Sequence, residues 1–350
     1  MKSRIIAIDL AKAIFELALA DQASRILERR RLNRKQLRTF LQQQPAALVL
    51  REACGTAHYW GRYAGERGHA VKLIPAQYVR PYRRRSKTDR ADCAALLAAH
   101  RCGEIKPVPV RSIEQQQVQQ LHRVREQYKR TRTSRINMWR GFLRELGYPV
   151  ALSPAALMRR VTELLAEECL PPAFTPVFQD CLHEIKQLAL HMKAIEQQLH
   201  QLSLQQEAML RVQQIAGIGL LTSTALVAEA GSPHHFKSGR HFAAWLGLTP
   251  REYSSGHTRR LGRISKQGDS YLRMLLIHGA RSTLVRAKQL NIRQPGQLTR
   301  LQRWGLQLEQ RAGHNKATVA LANKLARIVW ATWKHERDFD GNYAQQFAAA

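Results

Sequence analysis

Two aspartates in the N-terminal part of the sequence have a spacing that could place both carboxylates at one site. Asp89 and Asp92 lie three residues apart in KTDRADCAALLA, which continues as an apolar, helix-like segment. Side chains at positions i and i+3 share one face of a helix, so these carboxylates are expected to lie close together. Two close carboxylates repel each other unless a positive charge lies between them.

Two sources of that positive charge are consistent with the segment. In the first interpretation, the neighbouring basic residues neutralise the aspartates on a solvated surface. In the second, a divalent cation neutralises them and the basic residues bind phosphate. Taken alone, the segment favours the first interpretation, because short motifs often mislead. The basic residues concerned are Arg83, Arg84, Arg85, Lys87 and Arg90.

Two further acids end predicted strands. Asp9 lies at the end of the apolar run RIIAIDL, and in AALVLREACG (46–55) Glu52 lies at the end of the strand just before a glycine. These runs, with IFELALAD and HAVKLIPAQ, predict strands that alternate with helical segments such as LNRKQLRTFLQQQ. Residues 1–105 are therefore predicted to form an α/β domain.

The positions of Asp9 and Glu52 at strand ends suggest that all four acids lie together at one site. The ends of parallel strands converge on a common crevice, where Asp9 and Glu52 could meet the aspartate pair. Hard oxygen ligands suit Mg²⁺, and two such ions can bind the attacking and leaving oxygens of a phosphodiester. A loose scatter of surface acids would leave Asp9 and Glu52 unexplained, because buried carboxylates without partners are costly.

Composition indicates a polyanionic partner. The chain has 350 residues, with 56 Lys+Arg against 26 Asp+Glu and a formal charge of +30. Such an excess favours nucleic acid, and its spread along the whole chain argues against a membrane surface. The five cysteines show no CxxC pairing, so a disulfide framework and a zinc knuckle are not indicated. We expect a soluble cytoplasmic protein without a transmembrane span or signal peptide.

The remaining chain is predicted to be mostly helical. KPVPV (106–110) is predicted to be a linker because its prolines deny it regular structure. Residues up to about 210 include QDCLHEIKQLALHMKAIEQQLHQL, whose apolar residues form a heptad-like seam. That helix could pair with the basic helix of residues 118–139, pair across subunits, or belong to a bundle core. Further on, Gly217 and Gly219 precede a helix of small residues, as in a helix-hairpin-helix turn that binds DNA phosphate or in a tight turn before a buried helix.

Segments along nearly the whole chain resemble, in the same order, the DEDD transposases of insertion-sequence family one-ten and its eleven-eleven subgroup. The segments are IDLAK, EACGTAHYW, KTDRADCAALLA, GIGLLTSTAL, GLTPREYSSG and GRISKQGDSYLR. The resemblance implies an N-terminal domain of the RuvC/ribonuclease-H type (1–105), a helical coiled-coil region (106–210), and a mostly helical C-terminal transposase domain with a catalytic serine (211–350). Cys54 and Cys93 stand where small residues such as Thr or Ala are expected, which removes no ligand.

The resemblance also implies the site and the partners. Asp9, Glu52, Asp89 and Asp92 would form the acidic tetrad that binds Mg²⁺, and Ser255 would be the nucleophile. Donor and target double-stranded DNA, a structured non-coding guide RNA, and homodimers assembling to a tetramer near the bacterial nucleoid are implied as well. Basic residues expected to hold nucleic acid near the serine are Arg251, Arg259, Arg260, Arg263 and Lys266.

The serine can also be weighed on its own residues. Ser254-Ser255-Gly256 has ordinary turn chemistry, and an unactivated serine is a weak nucleophile. Two other functions therefore stay open beside RNA-guided serine recombination. One is a RuvC-like junction nuclease in which metal-activated water attacks, and the other is a non-catalytic nucleic-acid-binding scaffold. The intact acids argue against the scaffold, and the basic C-terminal region argues against the simple nuclease.

Overall fold

The computed structural model describes residues 5–10, 13–83 and 88–341. Arg84, Arg85 and Lys87, predicted above to contact nucleic acid, lie outside the described residues. Contacts along the chain separate two compact units, Met1–Gln116 and Gln117–Ala350. The division into three regions with boundaries at 105 and 210 stays a prediction. Among the described residues, no helix combines the length and apolar character needed to cross a membrane.

A five-stranded mixed sheet forms the centre of the first unit. Its strands are β1 (Ile5–Leu10), β2 (Ile14–Ala20), β3 (Ile26–Asn33), β4 (Leu48–Glu52) and β5 (Ala70–Ile74). Its helices are α1 (Arg34–Gln43), α2 (Ala57–Gly65), α3 (Ala76–Val79) and α4 (Asp89–Arg101). The strand order is β3-β2-β1-β4-β5, with β1, β4 and β5 parallel and with β2 and β3 antiparallel to their neighbours. The predicted mixed α/β character of this region is confirmed.

Each face of the sheet carries its own apolar core. Alternate residues of a strand point to opposite faces. Ala7, Ala18 and Leu50 pack with buried residues of α4 on one face, and Ile8 and Val49 pack with α1 and α2 on the other. In β1, β2 and β4, every second residue therefore faces α4, and the residues between them face α1 and α2.

Strand β3 was not predicted, since its sequence ILERRRLN lacks the alternation of a half-buried strand. It is an edge strand, and charged side chains are common where one edge faces solvent.

Helix α1 begins at Arg34, two residues later than the apolar pattern of LNRKQLRTFLQQQ suggested. Asn33 accepts a hydrogen bond from the Gln36 backbone N–H at 2.9 Å, and the Gln36 side chain accepts one from the Asn33 N–H at 2.8 Å. This capping box fixes the start of α1.

A pair of long helices follows, the first of which begins just before the boundary between the two units. These are α5 (Ile113–Glu145) and α7 (Thr175–Leu204), with α6 (Pro154–Ala166) between them in the chain. Arg125 Nε donates to Glu196 at 2.7 Å, and Arg135 Nε donates to Glu184 at 2.7 Å. Residues further along α5 thus contact residues earlier in α7, so the two helices run antiparallel. Within the chain, the heptad-like helix thus pairs with the basic helix of residues 118–139, which was one of the alternatives considered above.

The rest of the second unit is a helical core with one small hairpin. Its elements are α8 (Glu207–Gln213), α9 (Leu220–Ala230), α10 (Gly239–Trp245), β6 (Pro250–Glu252), β7 (Leu261–Ile264), α11 (Ser270–Arg293), α12 (Arg300–Ala312) and α13 (His314–His335). A continuous apolar cluster joins α8 through α13, with Leu276, Leu284, Leu321 and Leu325 fully buried. The hairpin of β6 and β7 leaves this core and carries the serine pair.

Candidate active site

Asp9 and Glu52 occupy the carboxyl ends of adjacent parallel strands. The register of β1 with β4 pairs Ile8 with Arg51, and each acid is the next residue on its strand. By strand alternation, both acids face α4, on the same side as Ala7 and Leu50. Both are half-buried. This is the strand-end neighbourhood that the sequence predicted.

Asp89 and Asp92 lie in the first turn of α4. The side chain of Thr88 accepts a hydrogen bond from the Ala91 N–H at 3.2 Å, which places the start of the helix at Asp89. Asp89 is exposed, whereas Asp92 is only 8% exposed. Arg83 forms an ion pair with Asp92 through its Nε. In this structure an arginine of the basic segment is thus the charged partner of Asp92, although Asp92 is buried and not on the solvated surface that the first interpretation assumed.

A buried thiol fixes where α4 meets the sheet. The Sγ atom of Cys93 donates to the Glu16 carbonyl at 3.2 Å and lies 3.8 Å from the Ala7 carbonyl. Burial, and then the charges of Asp9 and Glu16, raise the pKa of this thiol to about 12. Cys93 is therefore a neutral packing residue that holds the aspartate turn against β1 and β2.

Glu16 is a further acid of this face that the sequence reasoning missed. It is the register partner of Asp9 in the antiparallel pairing of β1 with β2, and it is 7% exposed. Its charged neighbour is Arg90 of α4, whose Nε lies 3.6 Å from the carboxylate. A signal was present in IFELALA, where Glu16 shares its face with Ala18 and Ala20. A single charged residue on a strand face that otherwise carries small apolar residues indicates that the charged side chain is buried.

The charges of both strand-end acids, Asp9 and Glu52, act on the thiol of Cys54. Burial raises the pKa of this thiol first, and the charges of Glu52 and Asp9 add to the effect. Both carboxylates therefore act on one position in the loop after β4. Cys54 and Cys93, the two departures from the expected small residues, border the acids without replacing any of them.

The donor chemistry of the acids fits a hard divalent cation. Carboxylate oxygens are the ligands that Mg²⁺ prefers, and Asp9 and Glu52 are brought together by the strand register. Asp92 is engaged by Arg83 instead. Within residues 5–10, 13–83 and 88–341, no group of three or more His, Cys, Asp or Glu side chains is arranged as a ready metal site.

The two candidate serines have different environments in the hairpin. Ser254 Oγ donates to Glu252 at 2.6 Å and accepts from the Arg260 N–H at 3.2 Å, so it ties the two strands together. Ser255 pairs with Thr258 only through the backbone, at 3.2 and 3.0 Å, around a turn in which Gly256 has a φ of +54°. In the part of the chain that the structure describes, the exposed Ser255 hydroxyl makes no hydrogen bond. Ser255 is thus available for chemistry, and Ser254 is structural.

Basic side chains surround the serine on the hairpin. Arg259 Nε lies 3.6 Å from Glu252, and Arg251 donates to the Ser265 carbonyl at 3.1 Å. All of the predicted phosphate-binding residues on the hairpin are exposed: Arg251, Arg259, Arg260, Arg263 and Lys266. Their positions are compatible with the predicted contacts to nucleic acid next to Ser255.

The base of the hairpin is closely packed. A Cβ on Gly247 (φ +71°) would lie 2.0 Å from the Gln267 carbonyl, and one on Gly268 (φ +82°) would lie 2.0 Å from the Trp245 carbonyl. Arg273 of α11 donates to the Gln267 carbonyl at 3.1 Å, and also to that of Leu246. The two ends of the hairpin are thereby fixed to the helical core, which limits the positions that Ser255 can adopt.

The two glycines of the predicted helix-hairpin-helix turn also differ. Gly217 has a φ of +93°, and a Cβ there would lie 2.7 Å from the backbone of Gly279 in α11. The turn feeds α9, which is buried along most of its length. Gly219 is exposed, and a Cβ added to it would have no atom within 4 Å. Close packing against α11 explains why a glycine stands at position 217. The contact with a DNA phosphate stays a prediction for the exposed end of the turn at Gly219.

Comparisons with known proteins agree with the order of these features. Residues 6–148 match a DEDD transposase model of the IS110 kind, described as "Transposase", and residues 209–295 match the "Transposase IS116/IS110/IS902 family". A "probable family 20 transposase" of Pseudomonas aeruginosa is 41% identical, over 95% of this chain and 97% of the relative. Among the relatives that are 34% identical are the IS1111A transposase of Coxiella burnetii, over 94% of this chain and 89% of the relative, and the IS1328 transposase of Yersinia enterocolitica, over 93% and 95%.

Proposed function

Because this chain belongs to the IS110 family of insertion-sequence transposases, we propose that it recombines DNA site-specifically through a covalent phosphoserine link to Ser255. The observation that carries the proposal is the contrast between the two serines. Ser254 is held by Glu252 and Arg260, whereas Ser255 presents its hydroxyl on an exposed hairpin turn among arginines. A nucleophile needs such access to the scissile phosphate.

The chemistry conserves the number of phosphodiester bonds. The Ser255 oxygen forms a bond to phosphorus and loses its proton, while one bridging P–O bond of the DNA breaks and the leaving oxygen takes up a proton. The DNA strand stays esterified to the protein. Attack by a DNA hydroxyl on the phosphoserine then reverses the bond changes and rejoins a strand, without an external source of energy.

The acids would hold the cation that this family implies. Asp9, Glu52, Asp89 and Asp92 supply carboxylate oxygens of the type that Mg²⁺ binds. When bound, Mg²⁺ would polarise the scissile phosphate. The arginines of the hairpin would orient the neighbouring phosphates by charge-assisted hydrogen bonds, which Arg251 and Arg263 can donate from exposed positions.

The proposal extends to a guide RNA and to an oligomer. The net charge of +30 suits a protein that grips a structured RNA by shape and backbone while base pairing selects donor and target DNA. Purified protein should then carry one discrete structured RNA that dissociates in high salt. Recovery of random cellular RNA, together with recombination that survives ribonuclease, would contradict RNA guidance and leave the phosphoserine chemistry open.

A suicide DNA substrate tests the covalent link. The substrate is nicked so that the leaving fragment diffuses away, which traps a protein–DNA adduct on denaturing gels. Ser255→Ala should abolish the adduct and cleavage while DNA binding persists. Ser254→Ala, the matched control, should form the adduct more slowly because the hairpin loses two hydrogen bonds. Free cleaved strands from Ser255→Ala at near wild-type rate would instead support the metal-and-water junction nuclease.

A further inference from the structure

One arginine of the first unit lies inside the apolar core, away from solvent. Arg51 is the fourth residue of β4, and it is only 1% exposed. By strand alternation it faces α1 and α2, as Val49 does, on the side of the sheet opposite to Glu52. Its neighbours across the strands are Ile8 of β1 and Leu73 of β5, which are both buried. The guanidinium group is therefore separate from the acidic site.

The hydrogen-bond donors at this position lack acceptors. The Nε and Nη2 atoms of Arg51 are buried and make no hydrogen bond in the described part of the chain. Trp60 of α2, whose ring centroid lies 5.8 Å from the Arg51 Cζ atom, has a buried Nε1 that makes none with those residues either. Buried N–H groups without acceptors are costly, so they are rare in native structures. Three donors on two neighbouring side chains therefore require an acceptor from elsewhere.

The positive charge of Arg51 also lacks a counter-charge. Burial lowers the pKa of Arg51 to about 9, and among the described residues only the Cys54 thiol opposes this shift. Burial in turn raises the pKa of the Cys54 thiol, so Cys54 supplies no negative charge at neutral pH. The guanidinium group is thus charged at neutral pH within an apolar core. A buried charge is costly unless an opposite charge pairs with it.

From these contacts, we propose that Arg51 and Trp60 bind a chloride ion inside the first unit. Chloride carries one negative charge, which matches the single charge of Arg51. It accepts hydrogen bonds from several directions and needs no donors beyond those that these two side chains offer. A phosphate dianion would instead leave excess negative charge in the core, and its remaining oxygens would need further donors.

Access also favours a small free ion. Arg51 and Trp60 are both buried, so a phosphate that is linked on both sides to a nucleic-acid chain does not reach them. The inference therefore needs neither Ser255 nor the nucleic-acid partner of the proposed function.

The dependence of stability on chloride tests the site. Urea unfolding of the full chain is measured while potassium chloride replaces potassium glutamate at constant ionic strength. Because chloride would bind the folded site and not the unfolded chain, the urea midpoint of the wild type should rise with chloride concentration relative to that of Arg51→Met. Methionine fills a similar space without a charge, so the variant is expected to fold. The difference between the two proteins removes general effects of the salt.

A matched control separates this site from surface charge. Arg31→Gln removes an exposed arginine from β3 of the same unit, and its midpoint should follow that of the wild type. Parallel midpoints of wild type and Arg51→Met over the whole chloride series would overturn the proposal.

A second measurement uses the wild-type chain and so does not depend on how Arg51→Met folds. Crystals are grown with bromide in place of chloride, and anomalous scattering locates the bromide ions. We expect one bromide ion in hydrogen-bond contact with the Arg51 guanidinium group and the Trp60 Nε1 atom. Bromide found only at exposed side chains would overturn the proposal. Neither measurement involves DNA, so failure of the phosphoserine chemistry would not affect the outcome.

Discussion

Asp9 and Glu16 stand directly opposite each other in the antiparallel pairing of β1 with β2. Both side chains face α4, and Glu16 is almost fully buried. Like charges in directly opposed positions destabilise a sheet. Arg90 Nε lies 3.6 Å from the Glu16 carboxylate on a side chain that is 77% exposed, so its screening of Glu16 is weak. The register thus places two carboxylates side by side on the α4 face, and a cation bound between them would reduce their repulsion.

Replacing Glu16 tests this relationship. Glu16→Gln keeps the shape and removes one charge, so without divalent cation the free energy of unfolding should rise by about 0.2–1 kcal/mol. The added stability that Mg²⁺ gives should be smaller than in the wild type. Urea unfolding with and without Mg²⁺ measures both, and Glu28→Gln on exposed β3 is the control. A loss of stability would mean that the pair with Arg90 outweighs the repulsion from Asp9.

The strand ends show how far the sequence could be interpreted. The apolar runs ending at Asp9 and Glu52 predicted strands whose ends share a crevice, and helical spacing predicted the aspartate turn of α4. Strand alternation and parallel pairing are strong patterns, which makes these features recognisable from sequence. Glu16 was missed because its importance depends on the register of β1 with β2, and no local pattern specifies that register.

Other features depended on contacts between distant segments. Strand β3 has too many arginines to resemble a strand, and its place at the edge of the sheet is what tolerates them. The pairing of Arg83 with Asp92 was one of two possibilities, and sequence spacing could not choose between them. The difference between Ser254 and Ser255 arises from Glu252 and Arg260, which the hairpin brings together.

Substitutions of the two partners in the Arg83–Asp92 ion pair should change Mg²⁺ affinity in opposite directions. Asp92→Asn removes a predicted ligand charge, so Mg²⁺ affinity measured by calorimetry should fall at least about tenfold. Arg83→Gln removes a cation that competes for the same carboxylate, so the affinity should rise. Asp21→Asn, which changes an acid paired with Arg25 far along the chain from this turn, should leave it unchanged. Unchanged binding in both variants would mean that the aspartate turn is structural.

The glycines of the turn before α9 separate packing from phosphate binding. Gly217→Ala should destabilise the second unit by ~1–3 kcal/mol, because its φ is positive and its Cβ would collide with α11. Gly219 has a φ of −92° and open space around it, so Gly219→Ala should leave folding unaffected. If the turn holds a DNA phosphate, Gly219→Ala should weaken DNA binding several-fold. Wild-type affinity would leave only the packing role.

His122 of α5 should make the stability of the second unit depend on pH. It is 3% exposed, with its ring nitrogens 3.0 Å from the Tyr271 hydroxyl and 2.9 Å from Thr224 Oγ1. Burial, and then the charge of Arg125, lower its pKa to about 4. The unfolded chain binds this proton near pH 6.5, but the folded chain does not, so folding stability is present above pH 6.5 and is lost as the pH falls toward 4.

Replacing this histidine should therefore flatten the pH profile. His122→Gln keeps a donor and an acceptor but does not titrate, so the loss of unfolding free energy between pH 7 and pH 4 should shrink by about 2–3 kcal/mol. His58, whose pKa burial also lowers to about 4, leaves a residual slope in both proteins. Urea unfolding at a series of pH values measures the difference, with the exposed His200→Gln as the control. If His122→Gln and wild type lose stability in parallel, the pKa of His122 is not lowered by folding, and the imidazolium forms in the folded chain with Tyr271 and Thr224 as its acceptors.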